Sequence, residues 1–109
     1  MGEPRMTMAT RAVLYALLKH PAEEHYGLQI ADAADLPGGT IYPILIRLEQ
    51  CGWLESRWED IDISVEGRPK RRYYRLSEKG AQAAPLALAK ADGRKRRRSL
   101  VLRPGGGEA

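Results

Sequence analysis

The chain has 109 residues, 43% of them hydrophobic and 29% charged, with two Trp, five Tyr and no Phe. That is enough for one domain with one small core, and it leaves no room for a spacious buried active site beside it. Arg11, Lys19 and His20 interrupt the only candidate membrane span, the N-terminus lacks the apolar run of a signal peptide, and the single Cys51 excludes an intramolecular disulfide, which together predict a soluble cytoplasmic protein.

The net charge of +4 is unevenly spread. Residues 1–59 hold five Lys/Arg against eight Asp/Glu, whereas residues 60–109 hold thirteen against six. A positive C-terminal half suits a polyanionic partner, and nucleic acid leads the candidates over an anionic membrane or an acidic protein.

In chain order, the segment Thr7–His20 carries apolar Met8, Val13, Leu14, Leu17 and Leu18, of which Val13, Leu14, Leu17 and Leu18 have the spacing of one helical face, with Thr7 or Thr10 to cap the helix and Pro21 to stop it. A shorter helix is predicted from about Tyr26 to Ala34. Pro37-Gly38-Gly39 reads as a turn, and a third helix over about Thr40–Gln50 buries Ile41, Ile44, Leu45 and Leu48, with Gly52 as its C′ residue. The period then shortens. Trp53–Trp58 and Arg71–Leu76 read as strands joined by a long polar loop, Glu59–Lys70, which contains Gly67 and Pro69. Ser77 is a good N-cap for an alanine-rich last helix. Pro85 should kink or split that helix, and Asp92-Gly93 should break it before the basic run Arg94–Arg98 and a disordered Gly-rich tail.

Three helices, a strand, a long hairpin loop, a strand and a helix make a mainly α fold with a small β-hairpin (α+β): a winged helix-turn-helix with a short C-terminal helix. Its expected divisions are 1–80 for the DNA-binding domain, 81–93 for a C-terminal helix available for dimerisation, and 94–109 for a basic tail.

The third helix is the first candidate for function. With its apolar face inward, Tyr42, Pro43, Ile46, Arg47 and Gln50 turn outward. Gly38 and Gly39 leave its N-terminus bare for a phosphate. Thr40 and Tyr42 offer hydroxyls, Pro43 an apolar contact, and Arg47 a guanidinium for guanine or phosphate. The alternative is that Tyr42 packs under the wing and Arg47 is an ordinary solvated charge. The second candidate is the bend Gly67-Arg68-Pro69-Lys70-Arg71-Arg72, which gathers four cations. Period-two geometry sends Arg71 and Tyr73 one way and Arg72 and Tyr74 the other, with one Tyr entering the core. A solvated hairpin tip is the plain alternative. Arg94–Arg98 reads as an electrostatic arm without base-reading capacity.

His20, His25 and Cys51 lack the spacing of a zinc site. No nucleophile elbow, phosphate loop or apolar carboxylate pair stands in the sequence. Neither a metal, nor a cofactor, nor an enzyme is therefore expected. Trp53 and Trp58 could stack a small aromatic effector, although packing is the commoner role for Trp on a short strand.

The segments Leu14-Tyr15-Ala16-Leu17-Leu18, Tyr26-Gly27-Leu28-Gln29-Ile30, Gly39-Thr40-Ile41-Tyr42-Pro43, Gly52-Trp53-Leu54-Glu55-Ser56 and Gly67–Gly80 resemble the PadR family of bacterial transcriptional regulators over about Arg11–Gly80. The resemblance implies a homodimeric winged-helix repressor of double-stranded DNA that often answers to a small molecule. By matching position it implies that Gly39, Thr40, Tyr42, Pro43 and Arg47 are recognition-helix contacts. Tyr26 would be a phosphate contact, and Arg68 with Lys70, Arg71 and Arg72 would form the wing. Where the family usually has Ser-Pro, this chain has Pro37-Gly38, which removes an N-cap hydroxyl. Two other readings fit the charge pattern: a protein-interaction module, and a non-specific architectural DNA-binding protein.

Overall fold

The computed structural model describes residues 2–102, with side chains through residue 94. Five helices and three short strands follow in the order α1 (Met8–Leu18), β1 (His25–Tyr26), α2 (Gly27–Ala34), α3 (Gly38–Gln50), β2 (Leu54–Trp58), α4 (Ile63–Glu66), β3 (Arg72–Leu76) and α5 (Glu78–Leu102). This is an α+β fold in which helices pack against a small three-stranded antiparallel sheet.

The apolar periodicity does what it predicts. Val13, Leu14 and Leu17 of α1, Ile30 and Ala31 of α2, and Ile41, Ile44, Leu45 and Leu48 of α3 meet in one core with Trp53, Leu54, Tyr74 and Leu76. Thr7 caps α1, its hydroxyl accepting the Thr10 amide at 3.1 Å. Asp35 ends α2 in the left-handed region at φ 57°. Gly52, at φ 82°, turns the chain after α3, and the Trp53 amide returns to the Leu48 carbonyl at 2.9 Å, as a glycine C′ residue allows. Ser77 caps α5 by accepting the Gly80 amide at 3.0 Å while its hydroxyl donates to the Gly52 carbonyl.

The structure departs from the sequence-based expectation at four places. His25–Tyr26 is a third strand, so the sheet order is β1-β3-β2, with His25 opposite Tyr74 and Tyr26 opposite Tyr73. α3 begins at Gly38, so the two glycines form its first turn rather than a preceding bend. The wing contains one helical turn, α4, opened by Asp62, whose carboxylate accepts the Ser64 amide at 3.0 Å, and closed by Gly67 at φ 69°.

Finally, α5 runs unbroken for 25 residues through Pro85 and Gly93. Pro85 forfeits only the hydrogen bond to Ala81, and Ala84, Ala87, Leu88 and Ala91 are buried against the core on either side of it. The run expected to be a separate basic tail therefore begins as helix. Residues 103–109, the rest of that tail, lie outside the described residues.

Candidate nucleic-acid interface

The exposed stripe of α3 is set by the core face opposite it. At about 100° per residue, Tyr42, Ile46, Gln50, Pro43 and Arg47 fall in that angular order across roughly 140° of helix surface, and each of them is exposed. Gly39 and Thr40 stand exposed at the N-terminal end of the same helix. Pro37 occupies the cap position and supplies no side-chain hydrogen bond to the first turn. Its carbonyl takes the amides of Thr40 and Ile41 at 3.0 and 3.3 Å. The amides of Gly38 and Gly39 precede these and sit at the positive end of the helix dipole.

Tyr42 stands at one edge of the stripe, 42% exposed. The outer end of its ring lies against Gly27 at the start of α2. A methyl group built on Gly27 would come within 2.7 Å of the Tyr42 Cε1 and hydroxyl oxygen. Gly27 thus makes room for the ring, and the two helices of the helix-turn-helix are joined through it.

A groove of about 450 Å³ separates this edge from the wing, lined by Tyr26, Leu28, Tyr42, Trp58 and the run Lys70-Arg71-Arg72. Tyr42, at the edge of the α3 stripe, and the wing cations Lys70, Arg71 and Arg72 therefore line the same groove. Strand geometry sorts the wing as its alternation predicts. Tyr74 is buried. Arg72 lies opposite Trp58 in the β2–β3 register, its guanidinium 5.0 Å from the Trp58 ring centre and 3.8 Å from the Glu49 carboxylate. On the other face Arg71 stacks over Tyr26 at 4.4 Å, and Tyr26 meets Tyr73 edge-on at 6.0 Å. Lys70 is exposed.

Arg68 is placed differently. Both of its terminal nitrogens donate to the Glu59 carboxylate, at 2.7 and 3.0 Å, and the same carboxylate accepts the Arg71 amide at 3.2 Å. The Glu59 amide in turn donates to the Arg71 carbonyl at 2.8 Å. Glu59 is the residue that motif reading missed. It lies nine residues before Arg68, and only the folded loop brings the two together. The Arg68 guanidinium, followed by the Arg71 amide, pulls the Glu59 pKa down to about 2. The wing is also electrically two-sided: Asp60, Asp62 and Glu66 are exposed around α4, while the cations gather at the entry to β3.

Elsewhere, Arg57 forms a bidentate pair with Glu24 at 2.7 Å, and Arg75 pairs with Glu55 at 3.0 Å. Asp92 on α5 accepts from Arg11 and from the Tyr15 hydroxyl on α1. Among the described residues no cluster of three metal-ligating side chains occurs, and no helix is long and apolar enough to cross a membrane.

A helix-turn-helix whose second helix presents an exposed stripe beside a cation-bearing hairpin defines a winged-helix regulator of the DNA-binding kind. The PadR-like transcriptional regulator family model matches residues 13–85, and the chain belongs to that family. Among solved structures it is similar to a PadR family transcriptional regulator from Eggerthella lenta, with a TM-score of 0.68 and 24% identity over 89% of this chain and 86% of that one. It is similar to a PadR family regulator from Clostridium difficile R20291, with a TM-score of 0.66 and 22% identity over 88% and 99% of the two chains. A third similar structure is Bordetella bronchiseptica BpsR, whose DNA binding is regulated by 6-hydroxynicotinic acid; its TM-score is 0.66 at 16% identity, over 96% of this chain and 74% of that one. No curated protein matches the sequence.

Proposed function

We propose that the protein is a sequence-specific repressor that binds double-stranded DNA as a homodimer and is released by a small effector. The observation that carries this reading is the shared groove: Tyr42 of α3 and Lys70, Arg71 and Arg72 of the wing line one cleft on one side of the fold. In this reading α3 enters a major groove. Thr40, Tyr42, Pro43 and Arg47 meet base edges or flanking phosphates, and the bare Gly39 turn lets the backbone approach closely. Tyr26, Lys70, Arg71 and Arg72 meet the backbone beside the groove. Arg68 acts through Glu59, holding the bend that presents its neighbours. Two protomers would place their α3 helices about 34 Å apart, one turn of duplex. The exposed apolar side chains of Met8 and Leu86, 72% and 74% accessible, support pairing through α1 and α5. Effector release is supported by the regulated structural neighbour BpsR.

Fluorescence anisotropy with the chain's own promoter region and a scrambled duplex, at two salt concentrations, tests the reading. Preference for the promoter is expected, with log Kd rising linearly in log salt at roughly 0.9 per phosphate neutralised. Tyr42→Ala is expected to erode the preference, whereas Lys70→Ala is expected to weaken both duplexes alike. Equal affinity for both duplexes would make the protein an architectural one, and binding to neither would leave an interaction module.

A further inference from the structure

The exposed stripe of α3 has two edges, and the wing flanks only the one marked by Tyr42. The opposite edge is marked by Arg47, about 140° away around the helix. There the chain ahead of α1 crosses α3, and a small pocket of about 60 Å³ opens between them, lined by Pro4, Arg5, Thr10, Ile44, Arg47 and Leu48. Two arginines from segments 42 residues apart in sequence therefore border one depression.

Arg11, Arg57, Arg68, Arg72 and Arg75 each pair with a carboxylate, but among the described residues neither Arg5 nor Arg47 does. Both are exposed. Two like charges facing one pocket repel each other, and folding alone gives no reason to gather them. A shared anion turns that repulsion into a favourable site, and charge-assisted donation from two guanidinium groups suits a phosphate oxygen pair. A helix seated in the major groove has a phosphate strand on each side of it. The wing is placed to serve one strand, and the Arg5–Arg47 pocket lies on the side of the other.

We infer that Arg5 and Arg47 form a second phosphodiester clamp, so that the segment before α1 grips the DNA backbone across the groove from the wing. This rests on the reading of α3 as the groove-entering helix. It adds Arg5 as a contact and assigns Arg47 to the backbone rather than to a base.

The test uses the full chain with promoter and scrambled duplexes, titrated with salt. Arg5→Ala is expected to lower the salt slope by about 0.9 per bound protomer, an approximately eightfold relative loss of affinity for each tenfold drop in salt. Promoter and scrambled DNA should lose equally. Arg5→Lys should retain most of the slope, and Arg47→Ala should match Arg5→Ala in slope and in its indifference to sequence. Thermal melting of Arg5→Ala should stay at the wild-type value, since the side chain is exposed.

A wild-type slope in Arg5→Ala, with DNA binding intact, would overturn the clamp while leaving the proposed function standing. Loss of promoter preference without loss of slope in Arg47→Ala would overturn the backbone assignment of that residue. Failure of the wild-type chain to bind either duplex would overturn the proposed function itself.

Discussion

Two glycines show how single atoms set this interface and this fold. At Gly27 a methyl group would meet the Tyr42 ring at 2.7 Å, and at Gly80 it would meet the Trp53 carbonyl oxygen at 2.1 Å. The obstacles differ in kind. A tyrosine ring at the end of a side chain can swing aside for about 0.5–1.5 kcal/mol, but a carbonyl that already accepts the Ser77 amide at 2.9 Å cannot move without opening the junction of α5 with the sheet. Gly27→Ala is therefore expected to keep the wild-type melting temperature within a few degrees while weakening promoter binding by up to about tenfold, because Tyr42 leaves its seat. Gly80→Ala is expected to lower the melting temperature by roughly 5–15 °C. Calorimetry and anisotropy on the two variants separate the effects, and equal melting temperatures would refute the Gly80 assignment. Neither contact can be seen in sequence, since a glycine's neighbour across a fold leaves no local pattern.

Among the elements, the wing owes its shape to Glu59. Its carboxylate ties Arg68 and the Arg71 amide at one point, so the bend is held at its base rather than at its tip. The pKa of Glu59 falls to about 2, with the Arg68 guanidinium as the main cause. A carboxylate depressed in the folded state adds stability that is complete above its unfolded value of 4.5 and is lost as pH falls through about 2. Glu59→Gln is thus expected to melt below the wild type at pH 7, with the gap closing as pH falls from about 4.5 towards 2. A gap constant over that range would show that the ionised carboxylate is not what holds the wing.

Much of this scale was readable beforehand. Helical spacing placed Ile41, Ile44, Leu45 and Leu48 inward, and all four are buried. Strand alternation separates Arg71 and Tyr73 from Arg72 and Tyr74 and sends one Tyr inward, and the buried one is Tyr74. What escaped was too short or too long-range to carry a period. Two residues cannot display alternation, so β1 leaves no signal and Tyr26 reads as the start of a helix. One turn cannot display 3.6, so α4 reads as loop. The persistence of α5 past Pro85 is decided by Ala84, Ala87 and Leu88 packing on the core, a tertiary gain that outweighs a local breaker.

At the scale of the whole molecule, α5 is the longest element. At 25 residues it spans about 37 Å at 1.5 Å per residue, more than the domain beneath it needs. Asp92 ties it to Arg11 and Tyr15 of α1, which sets its direction. On the proposed reading the excess length is the dimer seam. Sedimentation at micromolar concentration is expected to show a dimer for the full chain and a monomer, with helical content in proportion to its length, for a chain ending at Gly93. A full chain that sediments as a monomer would remove the paired half-site arrangement.

The three-stranded sheet has a further bearing on engineering. Because His25 and Tyr26 pair with Tyr74 and Tyr73 immediately before α2 begins, the hairpin is stitched to the helix pair and cannot be treated as a detachable accessory. A chimera that exchanged only residues 54–76 with another scaffold would sever that seam. To transplant the flap with its reach intact, the donor's counterpart of the His25–Tyr26 dipeptide would have to travel with it.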